Sequence, residues 1–320
     1  MKKTILILGT VFCSLTAIAT ESVEQPQVTD ELIDRMTIND DGPQSNKSTK
    51  AVYTTPDNAV CSGSKFEGVD VKWCIHFADR TKNPQVLYHF HGLGGNEKKW
   101  GNNYTKQLIS YWKDQGLTAP TVVTVSFGKL WLLTQTSFGS RRYEMFIKKM
   151  MPFFEAKLGL PVDASQRMLL GESMGGFNTT QVMLKNPELF SRFALHCPAV
   201  TPIGPFDSET TTKDFIKFTN AIAIRVWFTK AVGMLNFLKK SVWREHDPLL
   251  LSAAATSIPA KVYLSCGDND EFGFDTGTDA LVKNLTNKVQ QMEYVFIPGG
   301  THGTVDVKSL ADFLSADFPR

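Results

Sequence analysis

The stretch that most limits what this chain can fold into runs from Arg167 to Lys185. Arg167-Met168-Leu169-Leu170 reads as a short buried strand. Gly171-Glu172-Ser173-Met174-Gly175-Gly176 follows at once, and Gly175 to Lys185 is helical in character until Asn186-Pro187 stops it. A strand that passes into a helix through so few residues needs a turn with no room for β-carbons, which the flanking glycines supply. The same turn lifts the serine out at the carboxyl end of the strand. The bare pattern G-x-S-x-G arises by chance in roughly one chain of this length in ten. The strand before it and the helix after it give it weight.

Around that turn the chain alternates. Val86 to Phe90, Thr121 to Phe127, Phe193 to His196, Lys261 to Ser265 and Glu293 to Ile297 read as further strands, nearly all apolar, and β-rich pieces near Val52 and from Val69 to Phe77 precede them. Leu108 to Gln115 and Tyr143 to Leu158 read as helices, the second with Phe146, Met150, Phe153 and Leu158 on roughly one face. Apolar strands separated by helices predict an α/β fold, with a mostly parallel central sheet covered by helices on both faces. From about residue 206 to 257 no strand is evident, only helical pieces carrying Phe215, Phe218, Trp227, Phe228, Phe237 and Trp243. This stretch is expected to be a helical insertion lying over the carboxyl ends of the strands; two ordinary packing helices are the alternative.

The N-terminus reads as an export signal. Lys2 and Lys3 precede an apolar run from Ile5 to about Leu15, and Ala17-Ile18-Ala19 supplies a small-residue cleavage site. Residues 1–19 are therefore expected to be removed, with no stable membrane span left, and the protein to be secreted, either periplasmic or extracellular. Residues 20–50 are too polar to fold alone and read as a flexible leader, leaving 51–320 as one domain. Lys and Arg number 34 against 32 Asp and Glu, and their scattered placement argues against a nucleic-acid partner. Of five cysteines, cleavage removes Cys13. Cys61 and Cys74 flank a Gly-containing turn between two strands and are expected to pair; closing so short a loop contributes about 3 kcal/mol at most. Cys197 and Cys266, near two strand ends, are read as a second pair or as two buried thiols.

A serine hydroxyl needs a base to take its proton. Of the six histidines, His302 in Gly299-Gly300-Thr301-His302-Gly303 lies just after the last strand, on a loop able to reach Ser173. His89 is expected in the core, and His91, His196 and His246 in structural hydrogen bonds. The base in turn needs an acid: Cys266-Gly267-Asp268-Asn269-Asp270 sits in the loop where one belongs, with Asp270 preferred and Asp268 the alternative. His91-Gly92-Leu93-Gly94-Gly95, directly after a strand, is suited to presenting a backbone N–H. The amides of Leu93 and Met174 are the expected oxyanion hole. No Lys-Ser/Thr pair follows, so a phosphate loop does not fit. No cysteine and histidine cluster shows metal-ligand spacing, and no metal or organic cofactor is expected.

These four motifs together resemble the esterase D-like group of α/β-hydrolases, which includes feruloyl esterases, S-formylglutathione hydrolases and mycolyltransferases. The resemblance covers roughly residues 60 to 318 and takes in the Glu155-to-Arg167 approach and the Asp247-Pro248-Leu249 step. It implies the α/β-hydrolase fold, the acid role for Asp270, and a secreted serine carboxylic-ester hydrolase acting on feruloyl or other carbohydrate-linked esters. The long aromatic insertion after Pro198 departs from the pattern and leaves substrate size and identity open. An acyltransferase to a sugar or lipid alcohol has the same triad. A non-catalytic carbohydrate-binding protein on the same scaffold would lack at least one catalytic part, and none is missing.

Overall fold

The computed structural model describes residues 58–128, 133, 142–159 and 162–320. The expected export signal and leader and the segment near Val52 lie outside the described residues. Eight strands form one sheet: β1 (Ala59–Phe66), β2 (Val69–His76), β3 (Val86–Phe90), β4 (Thr121–Ser126), β5 (Arg167–Glu172), β6 (Arg192–His196), β7 (Ile258–Gly267) and β8 (Val289–Ile297). Their order across the sheet is β1-β2-β4-β3-β5-β6-β7-β8. β1, β2 and β4 pair antiparallel, and every pair from β4 to β8 is parallel.

The strands that read as unbroken apolar runs are those with both faces covered. In β3 all residues are buried, and their alternation divides two cores: Val86, Tyr88 and Phe90 face one side and Leu87 the other. On the first side lie α2 (Arg142–Met145), α3 (Met151–Lys157), α4 (Met174–Lys185) and α9 (Phe274–Leu285), through Met145, Phe154, Phe177 and Leu281. On the second lie α1 (Asn103–Asp114) and α10 (Val307–Ser315), through Trp112, Leu310 and Leu314. Each such side chain taken out of water contributes about 1.5–3 kcal/mol before entropy is counted. By contrast the edge strand β1 alternates between half-buried and exposed positions. It is joined to β2 by the Cys61–Cys74 disulfide, at positions directly opposed in the register.

The helix expected over Tyr143 to Leu158 is interrupted. Phe146–Met150 forms a π-turn, in which the Met151 N–H bonds the carbonyl of Phe146. Pro152 follows, with no N–H to offer the carbonyl of Lys148, and the wider turn takes up the mismatch. The buried stripe consequently runs Phe146, Met150, Phe154, while Phe153 and Leu158 are only partly buried.

Between β6 and β7 lie α5 (Glu209–Phe218), α6 (Ala223–Phe237), α7 (Lys240–Arg244) and α8 (Pro248–Ala254). The two readings of this stretch each hold for part of it. α8 packs on α9 and α4 as an ordinary layer helix. α6 and α7 lie over the strand ends, anchored to the helix after Ser173: Trp243 stacks on Phe177 at 6.3 Å, and Phe237 meets Trp243 edge-on at 4.8 Å. Lys230, whose ammonium burial pushes down to a pKa of about 8, ties α6 to the preceding loop by donating to the carbonyls of Gly204 and Asp207.

Candidate active site

Ser173 stands between β5 and α4 with φ 52° and ψ −116°, a backbone conformation that costs a non-glycine residue of order 1–3 kcal/mol. Its neighbours hold it there. The Ser173 N–H donates to the His196 carbonyl at 3.0 Å, and the Ser173 carbonyl accepts from Phe177 and Ala199 at 3.0 and 2.8 Å. The motif glycines are a packing requirement: a β-carbon on Gly171 would fall 2.2 Å from the Gly175 oxygen, and one on Gly175 only 2.0 Å from the Phe90 oxygen. The first absence lets α4 pack against β5, and the second lets β3 approach the elbow.

The loop after β7 carries Asp270, the expected acid. Asp270 is fully buried; its Oδ1 accepts from the amides of Phe272 and Phe274 at 2.8 and 3.2 Å, and its Oδ2 lies 2.6 Å from His302 Nδ1. Burial alone would raise the Asp270 carboxyl, but His302 and these amides outweigh it and hold the pKa below the ordinary value. The same pairing works on the imidazole: burial disfavours its charge, yet Asp270 holds the His302 pKa above 6.5. Phe272 and Phe274 flank the ring at 4.8 and 5.4 Å. Asp268, the alternative acid, instead accepts from the Gly299 amide at 2.7 Å and ties the acid loop to the histidine loop. Glu271 adds a second tie by accepting from the His302 amide at 3.1 Å. Among the described residues no hydrogen bond joins the Ser173 hydroxyl to His302; such contacts are often long before substrate binds.

The glycine-rich loop after β3 is fixed from below. His91 donates from Nδ1 to the Gly92 carbonyl at 2.7 Å and accepts at Nε2 from Ser126 at 2.8 Å, the arrangement of a neutral ring, in keeping with a pKa that burial lowers to about 4. From above, Glu172 Oε1 accepts the Gly92 N–H at 3.2 Å and lies 3.6 Å from Lys99 Nζ. Leu93 and Met174, the expected oxyanion donors, line the same pocket as Ser173 and His302, and Met174 opens α4, where first-turn N–H groups and the helix dipole favour negative charge.

That pocket encloses about 150 Å³, room for a group about the size of benzene. Its wall has two characters. The stretch through α7 contributes mainly apolar lining, Ile203, Val226, Phe228, Phe237 and Trp243 beside Thr229 and Lys230, while Lys99, Asn103, Glu172 and His196 contribute polar lining from other elements. Lys99 was not legible as a site residue, since Lys98-Lys99 has the look of a solvated pair and nothing in the local sequence marks its burial. His89 is buried, as expected, and the structural hydrogen bonds expected of His246 and His196 are present: His246 bonds Lys185 at 2.8 Å, and His196 bonds Ser265 at 3.0 Å. Arg142, half-buried, lies over the ring of Phe127 at 5.4 Å. Folding also gathers donor atoms of Cys197, Asp270 and His302 within 4.8 Å of one another, a cluster that linear spacing could not reveal.

A family model described as "Putative esterase" matches residues 69–310. No curated protein is significantly similar in sequence. Among solved structures, a ferulic acid esterase superposes with a TM-score of 0.57 at 17% identity, covering 82% of this chain and 96% of its own. An arylesterase gives 0.57 at 16% identity, over 83% and 85%. The acylaminoacyl peptidase of Pyrococcus horikoshii gives 0.60 at 13% identity, over 82% of this chain but 42% of its own. At such identities the likeness is one of fold, here the α/β-hydrolase fold, which esterases and a peptidase share.

Proposed function

The chain belongs to the "Putative esterase" family, and on that footing we propose that it is a secreted serine carboxylic-ester hydrolase working through an acyl-enzyme on Ser173. The observation that carries the reading is the convergence on one pocket of a strained serine and a histidine held at 2.6 Å by a buried aspartate. In the first step the His302 imidazole takes the Ser173 proton as the hydroxyl attacks the ester carbonyl. The amides of Leu93 and Met174 receive the developing oxyanion, each worth about 10²–10³-fold in rate. His302 then gives its proton to the departing alcohol. In the second step it activates water, which releases the acid from Ser173. Asp270 keeps the imidazole in the required tautomer and stabilises its charged form.

The apolar wall from the α5–α7 stretch is assigned to the acyl group and the polar wall to the alcohol, so aryl-acyl or short-acyl esters of a hydroxyl-rich alcohol such as a sugar are the proposed substrates. The ferulic acid esterase likeness agrees with this. The Cys61–Cys74 disulfide fits export to an oxidising compartment, and among the described residues no helix is long and apolar enough to cross a membrane. The apolar wall also suits acyl transfer to an added alcohol, which product analysis with and without a sugar acceptor separates from hydrolysis. The decisive test is hydrolysis of a chromogenic ester panel, from acetyl to feruloyl, by the mature protein and by Ser173→Ala. Loss of about 10⁴-fold or more in the variant is expected. Full activity in Ser173→Ala, or no turnover of any ester by folded protein, would refute the reading.

A further inference from the structure

Two cysteines that the proposed mechanism does not use lie against its acid and base. Cys197 follows β6 and Cys266 lies near the end of β7; with Phe272 and Phe274 they form a small buried cluster beneath the histidine. Both are free thiols. Cys197 adopts φ 36°, an uncommon conformation for a residue with a β-carbon, and its amide is fastened to the Ser265 carbonyl at 2.7 Å. The Cys266 thiol donates to Asp270 Oδ2 at 3.5 Å, the same oxygen that lies 2.6 Å from His302 Nδ1. Cys197 completes the group, with its sulfur, an Asp270 oxygen and a His302 nitrogen mutually within 4.8 Å and all three residues buried.

Two thiols, an imidazole and a carboxylate are the donor types that bind zinc and its softer relatives. A tetrahedral ion about 2.0–2.3 Å from each donor sets them about 3.3–3.8 Å apart. The Cys197, Asp270 and His302 donors, within 4.8 Å of one another, need movements of roughly 1 Å, and Cys266, 3.5 Å from Asp270 Oδ2, must turn toward them to complete the set. We infer that Cys197, Cys266, Asp270 and His302 form a site for a thiophilic divalent cation, zinc or cadmium, whose binding switches hydrolysis off. The switching part rests on the catalytic roles proposed for Asp270 and His302; the binding part does not.

The chemistry balances without redox change. The ion enters, the two thiols release their protons to solvent, and the imidazole proton moves from Nδ1, now a ligand, to Nε2. The ring then presents an N–H where it must accept the serine proton, and the base is lost. The pocket reaches His302 and gives the ion its route.

The test uses the mature protein and its Ser173→Ala variant, titrated with Co²⁺ and followed by thiolate-to-cobalt charge-transfer absorption, then with Zn²⁺ in competition. Equal binding in both proteins is expected, weakened about tenfold or more by Cys197→Ser and by Cys266→Ser. Zinc inhibition, read against each variant's own metal-free rate, should weaken in parallel. If Cys197→Ser fails to fold, Cys266→Ser carries the test alone. Absence of thiolate absorption, affinity unchanged by the cysteine substitutions, or a Cys197–Cys266 disulfide in protein isolated without reductant would overturn the site. Ester hydrolysis surviving in Ser173→Ala would instead sink the catalytic reading and leave the metal result standing.

Discussion

Glu172 and Gly92 are joined across the floor of the pocket, the carboxylate Oε1 of the first accepting the amide of the second at 3.2 Å. Glu172 immediately precedes Ser173, and Gly92 immediately precedes the expected oxyanion donor Leu93. One hydrogen bond thus sets the proposed oxyanion loop against Ser173, with Lys99 balancing the buried charge at 3.6 Å. Glu172→Ala is expected to lower kcat about 10–100-fold, with KM changed far less, because the loss falls on oxyanion geometry. Glu172→Gln keeps an acceptor and should recover much of kcat. It removes the charge opposite Lys99, however, and breaking a buried pair from one side costs about 3–5 kcal/mol, so its Tm should fall. Steady-state kinetics and thermal melts on both variants check this; equal kcat in Glu172→Ala and the parent protein would remove the positioning role.

Two glycines separate steric from torsional demands. Gly175→Ala puts a β-carbon 2.0 Å from the Phe90 carbonyl oxygen, backbone that cannot move aside without unpacking β3. Gly159 has φ +71° but nothing within 4 Å of its ideal β-carbon, so Gly159→Ala carries only the left-handed penalty of about 1–2 kcal/mol. At about 2–4 °C per kcal/mol for a domain near this size, Gly159→Ala should lose a few degrees. Gly175→Ala should lose far more or fail to accumulate as folded protein. Similar melting temperatures for the two would contradict the close approach.

What could be read beforehand follows from the range of each interaction. The elbow was legible because strand, glycines, serine and helix are contiguous, and the pairing of Asp270 with His302 because each sits in a short loop after a strand. Contacts between distant segments were not. The Glu172–Gly92 bond spans 80 positions, and a lysine such as Lys99 carries no local sign of being buried. Nor could spacing show that Cys197 and Cys266, on neighbouring strands, meet the triad. Local patterns also misled at their ends: α1 begins at Asn103, well before the apolar rhythm starts at Leu108. β7 begins at Ile258 despite Pro259, through an irregularity in its pairing with β8.

On the proposed mechanism the pH dependence follows from His302 as the base. Only its neutral form accepts the serine proton, and Asp270 keeps its pKa above 6.5, so it stays protonated to a higher pH than a free histidine. Accordingly kcat/KM should rise with pH through a midpoint above 6.5 and hold a plateau on the alkaline side. Asp270→Asn removes the charge that raises this pKa; the limb should move to lower pH, and the plateau should drop by about 10⁴-fold as the tautomer is lost. A pH–rate profile on a substrate with no titrating group decides the matter. A midpoint that stays put in Asp270→Asn would mean that some other group governs the limb.

The acyl wall is testable through Trp243. Its ring stacks on Phe177, meets Phe237 edge-on, and closes over Gly204, where a β-carbon would come within 2.8 Å of the indole nitrogen. Trp243→Ala removes one side of the apolar wall and should cost about 3–5 kcal/mol of stability, so absolute rates alone would be ambiguous. The ratio of kcat/KM for an octanoyl ester to that for an acetyl ester, measured in one preparation, does not depend on the fraction folded. Each methylene accommodated in an apolar pocket is worth about 1–3 kcal/mol, and even one such gain moves the ratio about tenfold toward the longer chain. If the insertion bounds the acyl group, the ratio rises while the acetyl rate falls or holds. If it bounds the alcohol, the ratio stays constant, and the assignment of the two walls must be reversed.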